Sequence, residues 1–198
     1  MKNNFSLSLK RRDTLINLLI ILLIIIVFVS LAFMCAKKYY PLKYMDIVLN
    51  YSYEYNLDPS LVFAVIHTES HFDAAAVSHA GALGLMQITP DTFYWISSKD
   101  RNPVCGSNSA EDVLLVPETN IKYGCMILNS HINEFKSVET ALAAYNAGRS
   151  RVRDWLENTD LSCDGIHLKH IPYHETDKYV KNVLFAQKIY RILYDIGG

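Results

Sequence analysis

The stretch that decides the fold reads Asp58-Pro59-Ser60-Leu61-Val62-Phe63-Ala64-Val65-Ile66-His67-Thr68-Glu69-Ser70. Asp58 is typical of a helix N-cap, and Pro59 suits the first helical position because no helical partner awaits the N–H that proline lacks. Val62, Val65 and Ile66 recur at the spacing of one helix face. The stretch therefore predicts a helix with a buried apolar stripe.

Glu69 continues that apolar stripe. It follows Val62, Val65 and Ile66 by seven, four and three residues, so it shares their face instead of facing water. Loss of solvent raises the pKa of a carboxyl group, which suits a general acid near neutral pH. The alternative is a structural glutamate that caps a neighbouring element or pairs with one of three arginines, Arg149, Arg151 and Arg153.

The histidines around Glu69 suggest a metal site as a second alternative. His67 and His71 lie four residues apart, as in the zinc protease pattern HExxH, and His79 could supply a third ligand. In that pattern the glutamate directly follows the first histidine. Glu69 follows His67 by two, about 100° further around the helix. The order does not fit that chemistry, so we expect neither a metal nor another cofactor.

Helices are expected on both sides of this stretch. Residues 41–55 carry apolar and aromatic side chains at helical spacing. Later helices are predicted over residues 90–97, 117–135, 138–146, 149–157 and 176–194. Gly81 and Gly84 permit backbone conformations that a helix does not, so we expect a loop or short hairpin over 79–89. The predicted fold class is mainly α, with a small glycine-rich loop or β element.

Composition divides the chain into two parts. Apolar residues make up 51% of the 198 residues and charged residues only 20%, and residues 14–36 carry no charge. As a helix, 14–36 would cross a bilayer, which excludes a purely cytosolic chain and predicts one transmembrane signal-anchor. Three basic residues precede it, Lys10, Arg11 and Arg12, so residues 1–13 are expected in the cytoplasm.

A cleaved signal peptide is the alternative to this anchor. Ser30-Leu31-Ala32 offers a cleavage site of small residues. The apolar core of a signal peptide is normally roughly 7–15 residues long, and this run exceeds that length. An uncleaved anchor is therefore favoured. Cys35 does not indicate a lipoprotein, because Met34 stands where a small residue is expected.

Residues 37–198 are enough for one core. They contain 15 Lys and Arg against 19 Asp and Glu, a formal charge of −4. A mildly acidic domain without a basic stripe argues against nucleic acid as a partner. Its cysteines, Cys105, Cys125 and Cys163, allow three alternative single disulfides, and their spacing matches no zinc module.

Separated motifs follow one another in the order of a known family. They are Glu69-Ser70, Ala76-Val77-Ser78, AGALGLMQITP at 80–90, AAYNAG at 143–148, IPYHET at 171–176 and Tyr179-Val180. From about Tyr44 to Tyr190 the chain resembles the soluble lytic transglycosylase catalytic domain of lysozyme-like fold. The resemblance implies that residues 37–198 are a catalytic domain outside the cytoplasm, on the cell-wall side or in the periplasm.

The resemblance also implies a reaction and its residues. The family cleaves peptidoglycan glycan strands between N-acetylmuramic acid and N-acetylglucosamine and leaves 1,6-anhydro-muramoyl ends. Glu69 would act first as the acid that protonates the glycosidic oxygen and then as the base for the C6 hydroxyl. The substrate-binding residues implied by the resemblance are Ser78, Met86, Gln87, Tyr145, Asn146, Glu175 and Tyr179.

Four residues at three places in the chain depart from the family pattern and bear on substrate preference. Val116 replaces a common aspartate, Ile127 replaces a cleft tyrosine, and Arg149-Ser150 replaces a small or Pro-Gly continuation. Two other functions stay open. A hydrolytic muramidase would need a carboxylate to activate water, for which Asp73 and Asp91 are nearest in sequence. A non-catalytic peptidoglycan-binding module could serve an envelope machine, and partners in cell-wall or secretion machinery stay undefined.

Overall fold

The structure, a computed structural model, describes residues 2–103 and 109–196, with side chains from Leu15 onward. It divides into two units, Met1–Pro41 and Leu42–Gly198. Helix α1, Lys2–Tyr39, forms the first unit. Its segment Leu15–Tyr39 contains an 18-residue window with a mean hydropathy of 3.4 and no buried side chain, so it is long and apolar enough to cross a membrane.

The second unit is built from helices around α3. The helices are α2 Met45–Glu54, α3 Pro59–Ser70, α4 Pro90–Ser97, α5 Ala110–Leu114, α6 Pro117–Phe135, α7 Val138–Ala147, α8 Arg149–Glu157 and α9 His174–Tyr194. Helix α3 packs along α9 and against α2, while α6 packs against α7 and also contacts α2, α4 and α5. The residues from Pro59 to His67 are all buried, so α3 is the core helix that its sequence predicts. The mainly α class is confirmed.

Local capping explains where the helices depart from the predicted bounds. Helix α2 begins at Met45, not at residue 41, because Tyr44 has a left-handed backbone with φ of 58°. Helix α5 was not predicted from the sequence. Its five residues are held by a capping box in which Ser109 and Asp112 exchange side-chain to backbone hydrogen bonds.

Residues 79–89, here named the glycine loop, form neither a helix nor, among the described residues, a strand. Isolated antiparallel bridges join Leu83 to Val77 on one side and to Ile88 on the other. The Ser70 hydroxyl at the end of α3 donates a hydrogen bond to the Leu85 carbonyl at 2.8 Å. The loop is therefore attached directly to the core helix.

The buried side chain of Asn120 fastens the glycine loop to α6. Its Oδ1 accepts a hydrogen bond from the Met86 N–H at 2.7 Å, and its Nδ2 donates to the carbonyls of Leu83 at 2.9 Å and Leu114 at 2.7 Å. Gly84 lies against this amide with φ of +70°, and a Cβ there would overlap both the Asn120 amide and the Leu114 carbonyl. Glycine is therefore required at this position.

Helix α9 holds the N-terminus of α3. The Asp58 carboxylate caps α3 by accepting a hydrogen bond from the Ser60 N–H at 2.8 Å. The same carboxylate is paired with Arg191 and accepts a hydrogen bond from the Gln187 amide at 3.0 Å. The N-cap of the core helix is thus shared with the last turns of α9.

Asn120→Asp tests this loop attachment with almost no change in side-chain shape. Aspartate has no N–H to donate, so the carbonyls of Leu83 and Leu114 lose their partner in the core. We expect the free energy of unfolding to fall by about 2–4 kcal/mol, measured by urea unfolding at pH 7. The control is Asn133→Asp, on the exposed face of the same helix, with an expected change below about 0.5 kcal/mol. Equal losses in the two variants would contradict the assignment.

Candidate active site

Glu69 is placed by the way in which α3 ends. It is the last residue but one of the helix, which stops because His71 and Phe72 both have left-handed backbones, with φ of 51° and 64°. The side chain is therefore at the C-terminal end of a buried helix, where the unpaired carbonyls disfavour a negative charge. It is only partly exposed.

Burial raises the pKa of Glu69 from 4.5 to about 7, and a hydrogen-bonding contribution from Tyr179 opposes the rise. The salt bridges of the described residues include none to Glu69. Arg149 and Arg153 pair with Glu134 instead, at 3.0 and 2.5 Å. The alternative in which an arginine neutralises Glu69 is therefore wrong. At pH 7 about half of the molecules carry a protonated Glu69.

Two tyrosines from different helices enclose this carboxyl group. Tyr145 of α7 and Tyr179 of α9 both have pKa values well above the ordinary one, because burial and then the Glu69 charge disfavour the phenolate. Both therefore act as neutral hydrogen-bond donors. Tyr145 donates to the Met86 carbonyl at 2.9 Å. The Tyr179 hydroxyl is buried near Glu69 without a hydrogen bond of good geometry.

A cavity of about 320 Å³, here named the cleft cavity, opens beside these groups. Its lining residues come from the glycine loop, α4, α6 and the junction of α7 and α8, and include Gln87, Asp91, Trp95, His131, Tyr145 and Arg149. Gln87 has a left-handed backbone, φ 48°, and its amide donates to the carbonyls of Gly84 at 2.9 Å and Ala76 at 3.2 Å. Tyr145 both lines the cavity and interacts with Glu69, so the two sites adjoin.

The other residues expected to bind substrate occupy different environments. Asn146 is exposed, and its Oδ1 accepts a hydrogen bond from the Thr176 hydroxyl at 2.8 Å. Glu175 is exposed in the first turn of α9. The Ser78 hydroxyl accepts a hydrogen bond from the Ala82 N–H at 2.9 Å at the base of the glycine loop.

Met86 lies in the core and not on the cleft surface. Its side chain is fully buried and packs so closely on α6 that a Cβ at Gly124 would overlap its sulfur atom. In this arrangement the Met86 carbonyl, which accepts the Tyr145 hydrogen bond, is the part of the residue that serves the site.

Three residues of the site were not found from the sequence. Asn120 fastens the glycine loop, and Trp95 and His131 line the cleft cavity with their rings 6.1 Å apart. Each is a single polar or aromatic residue on a helix whose partners belong to other elements. No local spacing marks such residues, so only the packed structure assigns them.

The histidines and cysteines form no metal site in the described part of the chain. The His67 and His71 rings lie 4.9 Å apart, but no group of three His, Cys, Asp or Glu side chains there could hold a metal ion. Cys125 is buried and Cys163 exposed, both as free thiols. Cys105, the third cysteine of the expected pairings, lies outside the described residues.

Comparison with known proteins finds lytic murein transglycosylases among the relatives. The soluble lytic murein transglycosylase of Escherichia coli K12 is 36% identical over 157 residues, which cover 78% of this chain and 24% of that protein. The membrane-bound lytic murein transglycosylase C of Cronobacter sakazakii is 30% identical over 171 residues, 75% of this chain and 46% of the relative. The chain thus spans about a quarter of the length of its soluble relative.

A solved structure shares the fold. The X-ray structure of an inactive glutamate-to-glutamine mutant of lytic transglycosylase Slt from Pseudomonas aeruginosa superposes with a TM-score of 0.67 at 33% identity. The superposition covers 79% of this chain and 25% of that one. The expected lysozyme-like helical fold is confirmed by this match. The family described as the transglycosylase SLT domain matches residues 46–163, more than half of the sequence, and the chain belongs to this family.

Proposed function

We propose that residues 37–198 cleave the glycan strands of peptidoglycan between N-acetylmuramic acid and N-acetylglucosamine, with 1,6-anhydro-muramoyl products. One observation carries the proposal: Glu69 is a buried carboxyl group with a pKa of about 7, and Tyr145, which interacts with it, lines the cleft cavity. The relatives are named lytic murein transglycosylases, and one structure is of an inactive glutamate-to-glutamine mutant. The names support the class of reaction, and the inactive mutant supports an essential glutamate.

The first step needs a proton at the glycosidic oxygen. A carboxyl group with a pKa near 7 is protonated in about half of the molecules at neutral pH and is a strong enough acid to release its proton as the bond breaks. Because no cation is paired with Glu69 in the described residues, burial favours the neutral form that this step requires. Positive charge then develops at C1 of the muramoyl ring.

Glu69 is a carboxylate after it has given up its proton. The hydroxyl groups of Tyr179 and Tyr145 stabilise this carboxylate. Tyr179 has a buried hydroxyl near the carboxylate that makes no other well-formed hydrogen bond, so it can donate to the new charge. Tyr145 is held in place by the Met86 carbonyl and contributes its dipole without becoming ionised. The ionised Glu69 is thus stabilised by hydroxyl groups, with no cation paired to it in the described residues.

The second step closes the anhydro ring. The Glu69 carboxylate takes the proton of the C6 hydroxyl while that oxygen bonds to C1, which returns Glu69 to its starting form. No water is consumed, so no second carboxylate is required. Hydrolysis would need one, and Asp91 is the acidic residue among those lining the cleft cavity. Asp73 is exposed and its Oδ1 accepts the Ala75 N–H at 2.9 Å in a turn.

We propose further that residues 14–36 anchor the chain in the cytoplasmic membrane, with residues 1–13 inside and the catalytic domain outside. The exposed apolar helix Leu15–Tyr39 and the membrane-bound relative support membrane anchoring, and the basic residues Lys10, Arg11 and Arg12 favour this orientation. A wall polymer close to the membrane would then be within reach of the domain. Protease treatment of intact spheroplasts would digest the catalytic domain if this orientation is right.

Muropeptide mass spectrometry tests the reaction. Digestion of purified peptidoglycan should release products that carry 1,6-anhydro ends, which weigh one water less than hydrolytic products. We expect Glu69→Gln to lower the rate by about 10²- to 10⁴-fold, the contribution typical of a general acid, and still bind glycan. The control Glu139→Gln makes the same change at an exposed position of α7. Reducing ends would identify a muramidase, and no release by the wild type would favour a binding module.

The pKa of Glu69 predicts that stability and activity both fall as the pH rises through 7. The folded-state value of about 7 exceeds the ordinary 4.5, so the folded chain binds more protons than the unfolded chain between these values. Stability conferred by the neutral form is therefore complete below about pH 4.5 and is lost as the pH rises through 7. The value of kcat/KM should likewise fall about tenfold per pH unit above 7.

Glu69→Gln cannot ionise and should escape that loss. We expect it to be about 1–3 kcal/mol more stable than the wild type at pH 8 and nearly equal at pH 4.5, measured by thermal unfolding at both pH values. Glu139→Gln should show no such pH dependence. A wild-type protein as stable as Glu69→Gln at pH 8 would show that burial does not hold the Glu69 proton.

A further inference from the structure

The cleft cavity contains a fixed cation at a position where the sequence departs from its family. The Arg149 guanidinium lies 4.6 Å from the centre of the Trp95 ring, and the Lys99 ammonium lies 4.2 Å from the same centre. Stacking on an aromatic face restricts the plane of a guanidinium and leaves its N–H groups directed around the edge. Arg149 is thus a planar donor in the wall of the cavity.

Glu134 holds this arginine without neutralising the whole cluster. It accepts a hydrogen bond from Arg149 Nε at 3.0 Å and is also paired with Arg153 at 2.5 Å. One carboxylate shared by two guanidinium groups leaves one positive charge uncompensated. Because the Arg149 side chain is only 28% exposed, solvent screens that charge incompletely.

His131 adds a polar group that has no partner within the described residues. The residue is only 3% exposed, lines the cavity, and its Nδ1 makes no hydrogen bond there. Burial, followed by the nearby Arg149 charge, lowers the pKa of His131 to about 4, so the ring is neutral at pH 7. The centre of the His131 ring lies 6.1 Å from that of Trp95 and 6.2 Å from that of Tyr145. His131 therefore lies between Trp95, on which Arg149 stacks, and Tyr145, which interacts with Glu69.

The structure assigns the cleft cavity as a subsite for a sugar unit that carries a carboxylate, with Arg149 as the residue that selects it. This assignment rests on the proposed function. A cavity of about 320 Å³ is at the small end of ligand sites, roughly 300–1,000 Å³, and suits one sugar unit. N-acetylglucosamine has no charged group, whereas an N-acetylmuramic acid unit brings the carboxylate of its lactyl group or those of its stem peptide. The Arg149 guanidinium can pair with the carboxylate of the second unit and has no such partner on the first, so it distinguishes the two units.

Selection of a charged unit would fix the register of the glycan. The two sugars alternate along the strand, so a subsite that prefers the carboxylate-bearing unit accepts every second placement. Tyr145 lines the subsite and interacts with Glu69, which couples the chosen register to the bond that receives the proton. Arg149 would then decide which of the two kinds of glycosidic bond is presented to the acid.

Trp95 provides a direct readout of binding. The chain has two tryptophans, and Trp155→Phe leaves Trp95 alone. The full chain carrying Glu69→Gln and Trp155→Phe, in detergent, is titrated by fluorescence with three probes at pH 7. These are the disaccharide of N-acetylglucosamine and N-acetylmuramic acid with a free lactyl group, the same disaccharide with an alanyl-glutamate stem, and chitobiose. Because no cleavage is required, failure of the proposed reaction and failure of the subsite are separate results.

We expect at least one carboxylate-bearing probe to bind about tenfold more tightly than chitobiose. Tight binding of the first probe assigns the lactyl group as the source, and tight binding of the second alone assigns the stem peptide. Arg149→Gln should abolish the preference. Arg151→Gln should retain it, because Arg151 is exposed and donates to the Ala147 carbonyl at 3.0 Å.

Asp91→Asn gives a second test, which does not require the Arg149→Gln variant to fold. Removal of the acidic lining residue should tighten binding of the carboxylate probes about two- to threefold without affecting chitobiose. Equal affinity of all three probes for the unmodified site, or a preference that persists in Arg149→Gln, would overturn the assignment.

Discussion

The hydrogen bonds of the Asn120 side chain connect helix α6 to a loop more than thirty residues earlier in the sequence. These hydrogen bonds fix the position of the glycine-loop backbone and so set the direction of the Met86 carbonyl. That carbonyl receives the Tyr145 hydroxyl, so the position of a tyrosine on α7 depends on an amide on α6. Gly84 is required for these hydrogen bonds, because any side chain there would occupy the space of the Asn120 amide. The surroundings of Glu69 are therefore fixed by buried hydrogen bonds and not by charge.

Charge is instead kept away from Glu69. Of the three arginines that could have paired with it, Arg149 and Arg153 are engaged by Glu134 and Arg151 donates to the Ala147 carbonyl, while the phenols of Tyr145 and Tyr179 beside the carboxyl group are neutral. This arrangement costs stability at neutral pH, because the folded state retains a proton that water would remove. A conflict between stability and function is common where a site needs an ionisable group in an apolar place. Tyr179 reduces the conflict by offering a hydrogen bond to the ionised form.

The sequence predicts what depends on local pattern, and the structure adds what depends on packing. The N-cap at Asp58, the core stripe of α3 and the unusual place of Glu69 all follow from residue spacing, and the structure has each of them. Helix α5 is too short for periodicity to detect. The burial of Met86 and the amide of Asn120 depend on contacts between separate elements. A motif can mark such residues, but it cannot say whether a side chain points to substrate or to core.

Helix α9 lies beyond the end of the family match but belongs to the same packed unit as α3. The family match ends at residue 163, yet α9 begins at His174, packs along α3, supplies Tyr179 and shares the Asp58 cap. The helix that carries Glu69 is thus held at its start by Arg191 and opposed at its end by Tyr179, both from one later element. The compact unit is accordingly longer than the part that the family model matches, and a segment cut at residue 163 would keep Glu69 but lose the contacts that α9 makes with both ends of α3.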